Sequence, residues 1–221
     1  MSTSIFFTRE IADDSSLYKK ISALGCTISG QALIATETIV RSEPLPTSPW
    51  IFFSSKQAMS HFFAQYPTPS AKQWAAIGEG TARELKKYGD VSFVGSANDT
   101  AQVAKEFARM AGKDKVLFPI NDISVRTVQS ALPESQVIDW VCYRTSQTPT
   151  AVGYYDIVVF SSPSNVDSFL QANKWLSTQK AIAFGKSTAN KLVEMGIDTP
   201  IVSQGVSDQA LVNAIKTALS S

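Results

Sequence analysis

An α/β fold built on parallel sheets is the class this sequence predicts, and three observations predict it. Short apolar runs alternate with helical stretches, part of the chain repeats, and small hydroxyl-bearing turns stand where strands hand over to helices. The apolar runs in the first half are 5–8, 27–34, 50–53, 74–77 and 91–94. Those in the second half are 115–118, 137–141, 156–160, 181–184 and 200–202. Between them the period is that of a helix. It is clearest at the C-terminus, where Ala210, Leu211, Ala214, Ile215, Ala218 and Leu219 share one face. The run 56–65 is also amphipathic, with Ala58, Met59, Phe62 and Phe63 as its apolar side. Parallel strands need crossover helices, so this alternation predicts sheets covered on both faces.

The repeat appears when Phe53 is placed on Phe160 and the offset of 107 residues is kept. Ser54 then falls on Ser161, Ser55 on Ser162, Phe62 on Phe169, Ser70 on Ser177 and Ala76 on Ala183. Gly78 meets Gly185, Thr81 meets Thr188, Ala82 meets Ala189, Leu85 meets Leu192 and Gly89 meets Gly196. These are 11 identities in 37 ungapped positions, where chance pairing of ordinary composition would give roughly two or three. They cluster at strand-to-helix turns, as a duplicated α/β unit requires. The length suits two five-stranded flavodoxin-like sheets. The stretch 35–49, with three prolines, and the stretch 144–153, rich in Thr, Ser and Gln, read as connections. The halves of the repeat need not be the domains, because a strand can enter the other half's sheet.

Composition excludes several functions. At 221 residues, with 44 % hydrophobic and 18 % charged residues, the chain reads as one large or two small globular domains. A formal charge of +1 argues against a broad nucleic-acid surface while leaving room for a local anion site. No apolar run approaches the ~18–20 residues of a membrane span. The start of the chain has neither the basic nor the long apolar region of a signal peptide. Cys26 and Cys142 fit no metal spacing and suit a reduced cytoplasm. His61, the single histidine, rules out a multi-histidine metal site and reads as an ordinary surface or half-buried residue. Neither GxGxxG nor GxxxxGK[ST] is present, so no organic cofactor is expected.

Ligands of open parallel sheets bind beyond the carboxyl ends of the strands. Here those positions are Thr8-Arg9, Ser54-Ser55, Gly78-Glu79-Gly80-Thr81, Ser161-Ser162-Pro163-Ser164 and Gly185-Lys186-Ser187-Thr188. Each opens a helix, so backbone N–H groups and the positive end of the helix dipole converge there. One reading is ordinary helix capping, and Thr81 with Glu84 fits a capping box. The other is a set of neutral donors lining a cleft, suited to a ligand with several carboxylates or phosphates. Asp13-Asp14 and Glu134 read as loop or helix-start residues rather than as a catalytic pair.

Taken in order, these residues resemble the uroporphyrinogen-III synthase family. The resemblance rests on Thr8-Arg9 after the first strand, Phe-Ser-Ser at 53–55 and 160–162, and Gly-x-x-Thr-Ala at 78–82 and 185–189. Leu117-Phe118-Pro119 and Val141-Cys142-Tyr143-Arg144-Thr145 complete it across nearly the whole chain. The resemblance implies two flavodoxin-like domains, one discontinuous (1–36 with 148–221) and one inserted (39–142). A two-stranded linker, near 37–38 and 143–147, would join them. It implies a cytoplasmic monomer that converts hydroxymethylbilane to uroporphyrinogen III, inverting ring D, without metal or organic cofactor. Substrate binding would fall to Thr8, Arg9, Ser54, Ser55, Thr81, Ser161, Ser162, Ser164, Gly185, Lys186, Ser187 and Thr188. Tyr143, the family's motif tyrosine, would assist departure of the hydroxyl group, and the strand pattern places it where the chain crosses between lobes. The competing reading is a non-catalytic two-lobed binding or sensor protein for a polyanionic small molecule.

Overall fold

In chain order the elements begin β1 (Ser4–Phe7), α1 (Ser16–Ser22), β2 (Thr27–Gly30), β3 (Ile34–Thr38), β4 (Trp50–Phe53), α2 (Lys56–Gln65), β5 (Gln73–Ala76) and α3 (Glu79–Leu85). They continue with β6 (Phe93–Val94), α4 (Thr100–Ala111), β7 (Val116–Asn121), β8 (Val137–Gln147), β9 (Ile157–Phe160) and α5 (Pro163–Ala172). The last are β10 (Lys180–Ala183), α6 (Lys186–Glu194), β11 (Ile201–Val202) and α7 (Asp208–Ser220). This computed structural model describes residues 2–67, 69, 73–95, 99–205 and 207–220. Ser70, one of the repeat identities, lies outside the described residues.

The chain divides into two compact units, Met1–Ala35 with Ser146–Ser221, and Thr36–Thr145. The first unit holds a sheet of order β11-β10-β9-β1-β2, with parallel pairing throughout. Its inner strands β1, β9 and β10 carry buried apolar residues at consecutive positions because both faces are covered. Ile5, Phe7, Ile157, Val159 and Ile182 point to one side, where they pack with Leu17 and Ile21 of α1 and Leu211 and Ile215 of α7. Phe6, Val158, Phe160, Ala181 and Ala183 point to the other, against Val166 and Phe169 of α5 and Ala189 and Leu192 of α6.

The second unit repeats this logic. Its sheet has the order β3-β8-β7-β4-β5-β6. Ile51, Phe53, Trp74, Ala76 and Leu117 meet Phe62 of α2 and Leu85 of α3. Trp50, Phe52, Ala75, Val116 and Phe118 meet Val103 and Phe107 of α4. Setting the two sheets side by side, β4, β5 and β6 stand where β9, β10 and β11 stand, and β7 and β8 stand where β1 and β2 stand. The sheets are circular permutations of one order, and the ungapped repeat falls within the shared stretch, from the end of β4 or β9 to just past α3 or α6.

Several sequence expectations need correction. The second sheet has six strands, not five. The sixth is β3, which falls in a stretch read as a connection, and β8 runs on to Gln147 through the start of the other such stretch. The backbone bonds Ile39 N–H to Cys142 O (2.8 Å) and Thr148 N–H to Leu33 O (2.9 Å) pair rising residue numbers in one segment with falling numbers in the other, so this pair is antiparallel. Tyr143 therefore sits inside a strand, opposite Asn121 of β7 and beside a bulge at Ile120/Asn121, within the second unit. In α7 the buried face includes Val212, while Leu219 is 38 % exposed. Thr81 is not a cap: Gly78 is the N-cap of α3, Thr81 is buried inside the first turn, and Glu84 pairs with Lys87.

Candidate functional site

The turns beyond the strand ends are built by two kinds of helix start, each present in both units. Ser55 and Ser162, which coincide in the repeat, are N-caps with nearly identical backbone angles, −161°/158° and −159°/163°. Their Oγ atoms accept from Ala58 N–H at 3.0 Å and Asn165 N–H at 3.3 Å. Gly78 and Gly185, also repeat partners, are N-caps at −174°/174° and −168°/175°, and neither start has a side-chain cap. Leading N–H groups there are left for water or a ligand.

In the first unit the β1 and β9 ends are tied together. Thr8 is buried: its N–H and hydroxyl both donate to Val159 O (3.0 and 3.2 Å), and its Oγ1 accepts from Ser161 N–H at 3.2 Å. It shapes the turn with its hydroxyl turned inward. Asn165, which the sequence reading did not single out, is 2 % exposed and donates from Nδ2 to Ser161 Oγ (3.0 Å) and Ser162 Oγ (2.8 Å). Its signal was legible in principle, as a polar residue at the third position of a Ser-capped helix. Arg9 is exposed and lies over the Phe184 ring at 5.3 Å, which brings the β1 and β10 ends together. Ser161, Ser162, Ser164 and Gly185 are half-buried, Lys186 and Ser187 are exposed, and Thr188 is buried.

In the second unit Ser54 is exposed and Ser55 is half-buried. Tyr143 is only 8 % exposed, and burial pushes its phenol above its ordinary pKa against a smaller opposing effect of the Ser55 hydroxyl. Tyr143 is thus a protonated donor at neutral pH. Its neighbour Cys142 is buried, donates to Trp140 O at 3.3 Å, and has its thiol pushed up to about 12 by burial. That makes it an inert packing residue.

The residue with the most partners near Tyr143 is His61, read from sequence as unexceptional. It is half-buried as expected, but it stacks on the Tyr143 ring with centroids 4.7 Å apart. Thr36, Thr38 and Gln57 hydrogen-bond its two nitrogens. All these partners are uncharged, and burial alone lowers the imidazole pKa. The native state therefore takes up a proton less readily than the unfolded chain once pH falls below ~6.5. Stability is full above that value and is lost as pH drops from it through the lowered native pKa. Because the chain has one histidine, melting of wild type and His61→Phe across pH 5–7 isolates the effect. The wild-type slope should be steeper, and equal slopes would count against it.

Among the described residues no group of three or more His, Cys, Asp or Glu is placed to hold a metal ion. No helix among them is long and apolar enough to cross a membrane.

Residues 15–213 match the family described as uroporphyrinogen-III synthase HemD. Among solved structures, the fold is similar to that of uroporphyrinogen-III synthetase from Helicobacter pylori, with a TM-score of 0.72 at 18 % identity, covering 100 % of this chain and 99 % of that one. It is also similar to a mutant uroporphyrinogen III synthase from Thermus thermophilus, with a TM-score of 0.63 at 18 % identity and 99 % of each chain covered. At such identity the likeness is one of fold, whereas the family match spans most of the sequence. The chain belongs to the uroporphyrinogen-III synthase family.

Proposed function

We propose that the protein is a uroporphyrinogen-III synthase, a lyase that closes hydroxymethylbilane with loss of water and inversion of ring D. The family match over residues 15–213 carries this reading. The reaction begins when the hydroxyl on the terminal ring leaves as water, producing an electrophilic azafulvene. Attack by the substituted carbon of ring D gives a spiro intermediate, which rearranges to the inverted ring. Unassisted closure yields the uninverted isomer, so the protein must position the chain and assist departure of the hydroxyl.

Tyr143 is the donor in this proposal. Its phenol is neutral, and it can hydrogen-bond the leaving hydroxyl without presenting a negative charge to a substrate carrying eight carboxylates. Anchoring of those carboxylates is assigned to Ser161, Ser162, Ser164, Gly185, Lys186, Ser187, Thr188 and Arg9 in the first unit. Ser54, Ser55 and Thr81 are assigned to it in the second. Thr8, with its hydroxyl spent on Val159 and Ser161, holds the turn that presents them. Backbone N–H groups supply most of the contact, since uncapped helix starts bind anions with little net charge. We assign the two units as flavodoxin-like domains with β3 and β8 as their connection, and the working protein as a cytoplasmic monomer without metal or organic cofactor.

The test is a coupled assay with porphobilinogen and hydroxymethylbilane synthase, resolving isomers III and I. Isomer III should dominate, and chelator should not change its yield. Isomer I alone, at the spontaneous rate, would favour a non-catalytic binding protein and defeat the proposal.

A further inference from the structure

The His61 imidazole lies flat on Tyr143, its plane 11° from that of the phenol. Both of its nitrogens are held. Nδ1 is 2.7 Å from Thr38 Oγ1, and Nε2 is 3.0 Å from Gln57 Nε2 and 3.2 Å from Thr36 Oγ1. Gln57 Nε2 also donates to Thr36 Oγ1 at 2.6 Å, so the amide nitrogen faces both Thr36 and His61. With Gln57 donating, Nε2 is the acceptor and Nδ1 carries the proton that Thr38 Oγ1 accepts. Two holders come from β3 and the third from the preceding turn of α2, so the imidazole is braced from two elements and cannot rotate without breaking bonds at both nitrogens.

A braced ring against one face of Tyr143 leaves the phenol little freedom of plane. Ser55 is itself fixed, because its Oγ accepts from Ala58 N–H as the cap of the same helix that carries His61. One helix therefore carries both the ring stacked on Tyr143 and the Ser55 hydroxyl that acts on its phenol. The fold does not need a ring at this place: the repeat puts Ser168, fully buried, at the position His61 holds in the other copy. We infer that His61 is a positioning residue for the ring closure, acting through Tyr143 by fixing the plane in which the phenol O–H is presented. The inference rests on the proposed donor role of Tyr143.

The experiment is a double-mutant cycle in the full-length protein. Single-turnover and steady-state formation of uroporphyrinogen III are measured for His61→Ala, His61→Phe, Thr38→Val, Tyr143→Phe and the His61→Ala/Tyr143→Phe pair. Displacing a reacting group by a fraction of an ångström to an ångström should lower kcat for His61→Ala by roughly tenfold with KM unchanged. His61→Phe, which restores a stackable ring, should recover part of the loss. Thr38→Val, which keeps the imidazole and removes one brace, should show a smaller loss and serves if His61→Ala melts early. In the Tyr143→Phe background His61→Ala should change the rate no further, since the hydroxyl it positions is gone. Equal losses in both backgrounds, or wild-type kcat in folded His61→Ala and Thr38→Val, would overturn the inference and leave the Tyr143 reading standing. Tyr143→Phe at the wild-type rate would remove that reading and the inference with it.

Discussion

Tyr143→Phe should slow single-turnover formation of uroporphyrinogen III by up to about 10²-fold while the protein stays folded. A positioned proton donor contributes on the order of 10²–10⁴-fold, and the lower end applies because substrate positioning survives the substitution. The change removes one oxygen. The ring remains in the cluster with Met59, Phe62 and Cys142, and the stack on His61 persists. Only the phenol oxygen goes, and half-buried Ser55 still caps α2 through Ala58. Because burial raises the phenol pKa above its ordinary value near ~10, the wild-type rate should show no tyrosine ionisation through the neutral range. The readout is the ratio of isomer III to spontaneous isomer I, with melting as the check on folding. A well-folded variant that keeps more than about half the rate would reduce Tyr143 to a packing residue.

The parts of the fold that could be read from sequence are those where burial writes the pattern. Ile5–Phe7, Trp50–Phe53 and Ile157–Phe160 are apolar without interruption because helices cover both faces. Helix α2 could be bounded because Ser55 caps it and Ala58, Met59, Phe62 and Phe63 recur at helical spacing. Strand β3 could not. Its sequence, Ile-Ala-Thr-Glu-Thr, alternates between half-buried and exposed at the margin of the sheet, so it is a strand on account of its partner β8. The tail of β8 is hidden for the same reason, since Arg144 to Gln147 is polar and mostly exposed.

At the candidate site the legible features are local. Ser55 and Ser162 show themselves as caps, since the evidence lies within four residues. The glycine starts misled the reading at Thr81, because Gly78 caps α3 through its backbone alone and moves the helix three residues earlier than a Ser/Thr cap would. The bracing of His61 depends on Thr36 and Thr38, which lie 25 and 23 residues away on a strand the pattern did not reveal. A single histidine on an amphipathic helix has no periodic signature. Only the pairing of β3 with β8 brings Thr36, Thr38, His61 and Tyr143 to one place.

Gly185→Asp should make the protein more stable and a poorer enzyme. Gly185 is the N-cap of α6, with extended backbone angles that any residue adopts, and a Cβ built there meets nothing within 4 Å. An aspartate therefore fits without strain. Its carboxylate can accept from the N–H groups of the first turn, which have no side-chain cap at present. Replacing a glycine cap is worth a few tenths of a kcal/mol, and a negative charge on the helix dipole adds about 0.3–1 kcal/mol. If the same N–H groups hold a substrate carboxylate, the new side chain occupies its place and repels it. Loss of one charge-assisted hydrogen-bonding site is worth about 1.5–3 kcal/mol, which corresponds to a rise in KM on the order of 10–10²-fold. Gly185→Ser separates the two effects, since a neutral cap should raise the melting temperature slightly and weaken binding far less. Steady-state kinetics with hydroxymethylbilane and thermal melting of both variants decide the matter. A Gly185→Asp protein that melts higher with KM unchanged would make this helix start a cap and nothing more. A rise in KM alongside a higher melting temperature has no purely structural explanation, because a substitution that damaged the fold would lower both stability and binding.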